Sequence, residues 1–125
     1  MHKSRLAGFI IDCQSDLEEA TAFWSAALGL KPRPAAAHDP LYRTLDTGPE
    51  GLHIEVQQVE HPSRVHLDIE ADDIEAEVRR LEKLGARRIG TVRNWCVMQA
   101  PTGQRFCVVA PERADFAAHA NRWDE

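Results

Sequence analysis

Arg64-Val65-His66-Leu67-Asp68-Ile69-Glu70, with the run that follows it to Leu84-Gly85, decides the fold. The first seven residues alternate, with His66, Asp68 and Glu70 on one side and Val65, Leu67 and Ile69 on the other. That is the period of a half-buried strand. From about Asp73 the period lengthens. Ile74, Val78, Leu81 and Leu84 recur at helical spacing, and Gly85 supplies a stop. The same order occurs once earlier in the chain. Leu6 to Cys13 is a short apolar run, and Asp16 is placed to cap a helix with Glu18 and Glu19 in its first turn. Leu17, Ala20, Phe23 or Trp24, Ala27 and Leu28 continue it to Gly29.

Extending outward, each half reads as β-α-β-β-β. After Gly29, Leu30 to Ala37 contains Pro32 and Pro34, so it is at best an edge strand. Tyr42 to Asp46 and Leu52 to Val59 follow, the latter with His53, Glu55 and Gln57 opposite Ile54 and Val56. In the second half the strands are Val65 to Glu70, Ala86 to Val92, Trp95 to Ala100 and Gln104 to Ala110. The expected organisation is one domain, residues 1–125. Its first module covers about 5–60, its second about 64–110, and a tail covers 111–125. Laid on each other, Asp16 matches Asp73, Leu28-Gly29 matches Leu84-Gly85, and Gly51 matches Gly103. Counting from these anchors, Phe9 matches His66 and Glu55 matches Cys107.

Composition narrows the class. The chain has 125 residues, 43% hydrophobic and 28% charged, as in an ordinary globular protein with a core. A net charge of −5 argues against a nucleic-acid partner, and Arg79-Arg80 and Arg87-Arg88 have acidic neighbours, as on a solvated surface. Cys13, Cys96 and Cys107 show no CxxC spacing, which argues against a disulfide framework or a zinc finger and suits a reducing cytoplasm. The only apolar run near the start, Leu6 to Ile11, is too short for a signal core or a membrane span. GxSxG, GxGxxG, Walker A and HExxH patterns do not occur.

Phe23-Trp24, Leu28-Gly29-Leu30, Val65-His66-Leu67-Asp68, Leu81 to Ala86 and Ala100-Pro101-Thr102-Gly103-Gln104-Arg105-Phe106-Cys107, in that order, resemble the vicinal oxygen chelate superfamily. The match is to its glyoxalase-like and bleomycin-resistance-like branch. The resemblance implies an α+β fold. Paired βαβββ modules would form an open, eight-stranded incomplete barrel with two outer helices. It also implies a small-molecule site in the concavity, often on a divalent metal, and a homodimer. The family's four ligand slots fall here on Phe9, Glu55, His66 and Cys107. Phe9 has no donor atom, and Cys107 stands where the family usually has Glu. The full metal set is therefore not expected, although His66 and Glu55 are sound ligand types.

Glu55 and His66 are the catalytic candidates, expected to share one hollow. Phe9, His53, Gln57, Asp68, Trp95, Cys107 and Trp123 are the ligand-binding candidates. Beside each stands a structural role: a hydrogen-bonded core histidine, an outer Asp68, packing aromatics at Trp24, Trp95 and Trp123, a packed thiol at Cys107. In the tail, Phe116 and Trp123 are seven apart, on one face of a helix if one forms, as a packing arm or a flap. Three functions follow: a metal-free small-molecule binder, a lyase or isomerase with Glu55 as base and His66 as acid or ligand, and a drug-sequestering protein.

Overall fold

The computed structural model describes residues 1–124. Its elements are β1 (His2–Cys13), α1 (Leu17–Leu28), β2 (Tyr42–Leu45), β3 (His53–Gln58), β4 (Arg64–Ala71), α2 (Ile74–Lys83), β5 (Arg87–Val92), β6 (Trp95–Gln99), β7 (Arg105–Val109), α3 (Phe116–His119) and β8 (Asn121–Trp123). By packing, the chain divides into two compact units, Phe9–Val65 and Met1–Gly8 with His66–Glu125. The long β1 runs through both.

In Phe9–Val65 the strand order is β2-β3-β1. Asp16 starts α1, its carboxylate accepting from the Glu19 N–H at 3.1 Å. Gly29 ends it in the left-handed region, φ 69°, with its N–H on the Ser25 carbonyl. Leu17 and Ala20 press on Ile11, Cys13, Leu45 and Val56, with Trp24, Leu30 and Ile54 around them. Each fully buried aliphatic contributes about 1.5–3 kcal/mol. Of the two aromatics competing for this core, Trp24 packs and Phe23 stays 62% exposed. Leu30 to Ala37 does not become a strand. Pro32 makes only an isolated bridge to Leu45, although Arg33 N–H and Lys31 C=O still bond to Thr44 and Asp46. Two prolines remove the donors a continuous ladder needs.

In the second unit the order is β1-β4-β7-β6-β5, with β8 on β1. β4 and β7 are parallel, while β6 is antiparallel to both β7 and β5, so the sheet is mixed. Asp73 caps α2 through the Ala76 N–H at 3.0 Å. Val78 and Leu81 bury against Ala71, Cys96, Met98, Phe106 and Val108. Gly85, φ 105°, turns the chain out of α2 with Pro101 3.2 Å from where a Cβ would stand.

The α+β class and the eight strands agree with the sequence, but they are not the same eight. The Pro-containing segment is replaced by β8 in the tail, and a one-turn third helix, α3, precedes it. β8 pairs His2 with Trp123 and Ser4 with Asn121. The tail is therefore fastened at several points. Glu70, fully buried, accepts from Arg5 at 2.6 Å and from the Glu112 and Arg113 N–H groups at 2.7 and 3.0 Å. Trp123 Nε1 donates to Ser4 at 2.8 Å, and the Arg80 guanidinium lies 3.9 Å from the centre of its ring. Both devices rest on acids in the interior.

Glu77 is the second such acid. It faces the buried side of α2, takes both arms of Arg80 at 2.9 Å, and is met by His2 at 2.7 Å and Ser4 at 2.8 Å. Burial works to raise its carboxyl; the hydrogen bonds from Arg80, His2 and Ser4 outweigh it and hold Glu77 below the usual carboxylate range. The other basic pair behaves as a surface: Arg88 grips Glu75 at 2.6 and 2.9 Å and Glu82 at 3.3 Å. Among the described residues, no helix is long and apolar enough to cross a membrane.

Candidate functional site

β3 carries one group of candidate residues, inside Phe9–Val65. Because Ile54 and Val56 pack toward α1, alternation turns His53, Glu55 and Gln57 to the opposite face. All three are half-buried. Register with β2 sets their partners, Thr44 opposite Glu55 and Tyr42 opposite Gln57. Glu55 is reached by Thr44 Oγ1 at 3.3 Å and by His53 Nε2 at 3.4 Å, and Gln57 Nε2 donates to the Tyr42 hydroxyl at 2.8 Å. A carboxylate beside an imidazole, half-shielded from water, can hold or pass a proton. Phe9 is half-buried at the start of this unit, on β1.

β4 and β7 carry the other group, inside the second unit. Ile69 and Ala71 belong to the α2 core, so His66, Asp68 and Glu70 take the other face. On β7, Phe106 and Val108 face α2, which turns Cys107 the same way as Asp68. The parallel register then sets Asp68 directly beside Cys107. The result is a convergence of one imidazole, one carboxylate and one thiol. His66 Nε2 and Asp68 Oδ1 are 3.6 Å apart, and one donor atom from each of His66, Asp68 and Cys107 lies within 4.8 Å of the others. Asp68 is buried, and residues His66 and Cys107 are partly so.

These three residues could hold a divalent ion. Bond lengths of about 2.0–2.3 Å to N, O and S put donors on a shared tetrahedral ion roughly 3.3–3.7 Å apart. The His66–Asp68 gap has that value, and the three donor atoms all lie within 4.8 Å of one another. Three protein donors with one open position is also the usual catalytic zinc arrangement.

The residues named from the sequence thus form two sets, each internal to its own unit. Glu55, His53 and Gln57 belong to Phe9–Val65; His66, Asp68, Cys107, Trp95 and Trp123 belong to the second unit. Trp95 is half-buried on β6, with Arg93 5.6 Å from its ring centre; Cys96 and Met98 face α2, which leaves Trp95 on the Cys107 side. Trp123 has a packing role, between Ser4 and Arg80. None of the three cysteines is in a disulfide. Burial pushes the Cys13 and Cys96 thiols up, so both are inert, protonated packing groups.

Three buried acids went unread in the sequence: Asp12, Glu70 and Glu77. A signal existed for Glu77, which sits among Ile74, Val78 and Leu81 on the apolar stripe. None existed for Asp12, whose carboxylate is 1% exposed and meets Arg64 Nε at 3.4 Å and His61 Nε2 at 3.9 Å.

Comparison with known proteins agrees with this architecture. The glyoxalase-like domain family matches over residues 8–109. No curated protein sequence matches the chain. Among solved structures, methylmalonyl-CoA epimerase from Mycobacterium tuberculosis superposes with a TM-score of 0.60 at 19% identity, covering 91% of each chain. A glyoxalase/bleomycin resistance protein/dioxygenase superfamily member from Vibrio splendidus 12B01 gives 0.52 at 18% identity, covering 84% of this chain and 98% of that one. A hypothetical protein from Bacillus halodurans C-125 gives 0.62 at 13% identity, covering 88% and 96%. At these identities the likeness is one of fold.

Proposed function

Because this chain belongs to the glyoxalase-like domain family, we propose that it binds a small oxygen-bearing molecule through a divalent cation seated on His66, Asp68 and Cys107. The observation that carries this reading is the convergence of those three donors on neighbouring parallel strands, within 4.8 Å. The set differs from the four family slots. His66 and Cys107 are two of those slots, Phe9 offers no donor, and Asp68 is added to the set. A cation there would act as a Lewis acid on a substrate oxygen. The protein's own share is to fix the donors. His66 and Asp68 are two apart on β4, so strand pleat sets their spacing; Cys107 is held by the ladder to β4.

The test is elemental analysis of protein purified without added metal. About one equivalent of a divalent ion is expected, falling at least tenfold in His66→Ala or Cys107→Ser. A chain free of stoichiometric metal, with no uptake from solution, would remove the cation and leave the metal-free binder. A homodimer is part of the same proposal, and sedimentation at micromolar concentration checks it.

A second reading rests on the His53–Glu55 contact at 3.4 Å. Glu55 would act as a base next to a substrate carbonyl, with His53 orienting its carboxylate, in a lyase or isomerase. Solvent-deuterium exchange into a panel of carbonyl compounds measures this. Glu55→Gln should slow exchange by about 10²–10⁴-fold; unchanged exchange sinks the base role.

A further inference from the structure

A groove of ≈ 570 Å³ opens on α1, wholly inside Phe9–Val65. It lies on the α1 side of the strands, away from the face that carries His53 and Glu55. We infer that this groove is a binding site for an aromatic monocarboxylate. Its size falls in the range of small-molecule pockets, and its lining is mostly apolar with a few charged groups at one side, the usual form of such sites.

Phe23 and Trp24 make the aromatic wall. Their rings meet edge to face, centroids 5.0 Å apart at 87°. Val65, 58% exposed, lines the groove with them, and Ile11, Cys13 and Ala20 add buried apolar surface. Leaving a phenylalanine 62% exposed beside a tryptophan forgoes burial that a flat apolar ligand would restore.

Arg64 and Asp12 set the charge. Asp12 is buried at the groove and takes Arg64 Nε at 3.4 Å. That contact uses one edge of the guanidinium. The Nη edge, on a side chain 46% exposed, presents the two parallel N–H donors that match a carboxylate. Asp12 therefore acts as a positioning residue for Arg64. Ser63, also on the lining, accepts from the Gln14 N–H at 2.9 Å, which leaves its own proton to donate. Glu19 lines the groove as a further negative charge, so a singly charged acid fits better than a phosphate ester. The Cys13 thiol is kept neutral by burial and adds no charge.

The experiment is a titration of the full chain carrying ¹⁵N-labelled tryptophan, followed at its indole resonances. The probes are 2-naphthoate, 2-naphthamide and 2-naphthyl phosphate. Naphthoate should shift the Trp24 resonance saturably while Trp95 and Trp123 stay still. The amide should bind about tenfold weaker or more, because it lacks the charge-assisted pair with Arg64. The phosphate should also bind more weakly than the acid. Arg64→Gln should abolish the preference for acid over amide. Since that change leaves Asp12 short of a partner, Phe23→Ala, at an exposed position, is the second variant; it should weaken acid and amide alike. Equal affinities of acid and amide for the unaltered chain overturn the inference, as do tighter phosphate binding, a preference for acid that survives Arg64→Gln, or shifts confined to Trp95 or Trp123. Metal uptake at His66, Asp68 and Cys107 should be unaffected by Phe23→Ala, which lies on α1, so the two proposals fail separately.

Discussion

Phe9–Val65 and the unit formed by Met1–Gly8 with His66–Glu125 begin from like sequence and diverge at their acids. Both put an apolar strand before an Asp-capped helix whose end is marked by a positive-φ glycine, Gly29 at the cap of α1 and Gly85 just after the cap of α2. In the first unit two prolines interrupt the next strand, leaving β2 and β3, and the buried acid Asp12 borders a groove and an arginine half open to water. In the second unit the strands after α2 carry no proline, and its acids Glu70 and Glu77 are closed in by tail, arginine and hydroxyl. Similar chemistry thus closes one unit on itself and leaves the other an accessible charge. A buried acid enclosed by partners within the fold stabilises that fold; an acid that holds an arginine at the rim of a groove sets how that arginine is presented.

The sharpest way to break this contrast is to remove a closed acid. Glu77→Ala should cost about 3–5 kcal/mol in denaturant melts, because Arg80 and His2 lose their shared anion. A loss near zero would mean that the interior of the second unit does not depend on the network. Next comes pH. Glu77 is held below the ordinary carboxylate range, so its contribution is complete above the unfolded value and fades as pH falls through the lowered one. Acid titration of stability should show this loss, and Glu77→Gln should flatten that limb while lowering the neutral plateau.

Glycine stops sharpen the comparison at smaller scale. Gly29→Ala meets open space and carries only the left-handed penalty, about 1–2 kcal/mol. Gly85→Ala adds a contact to Pro101 at 3.2 Å, at a φ of 105° that side chains tolerate less well, and should cost more. Thermal melts of the two variants check the order. The caps should be the most alike: Asp16→Ala and Asp73→Ala each remove one side-chain bond to an N–H three residues on, for about 1 kcal/mol. Unequal cap costs would show that one helix leans on its packing more than the other.

Much of this was legible before any coordinates. Alternation assigned the His53–Glu55–Gln57 and His66–Asp68–Glu70 faces correctly, because one apolar side of each strand had to meet a helix. Caps and stops at Asp16, Gly29, Asp73 and Gly85 were readable because their chemistry is local. What was hidden is tertiary. Asp68 meets Cys107 through a strand register that no periodicity reports. Three-residue β8 has no period at all, and its pairing depends on Trp123 finding Ser4 and Arg80. The burial of Asp12 and Glu70 was not legible, since only their distant partners make it tolerable. The expectation that Glu55 and His66 share one hollow came from matching slots between repeats, not from the local chemistry of either strand.

A cobalt(II) titration of the metal-stripped chain tests the central claim most directly. The account predicts saturation near one equivalent, with a thiolate-to-cobalt charge-transfer absorption that disappears in Cys107→Ser and weakens in His66→Ala and Asp68→Asn. Cobalt that fails to bind, or a band that survives Cys107→Ser, contradicts it.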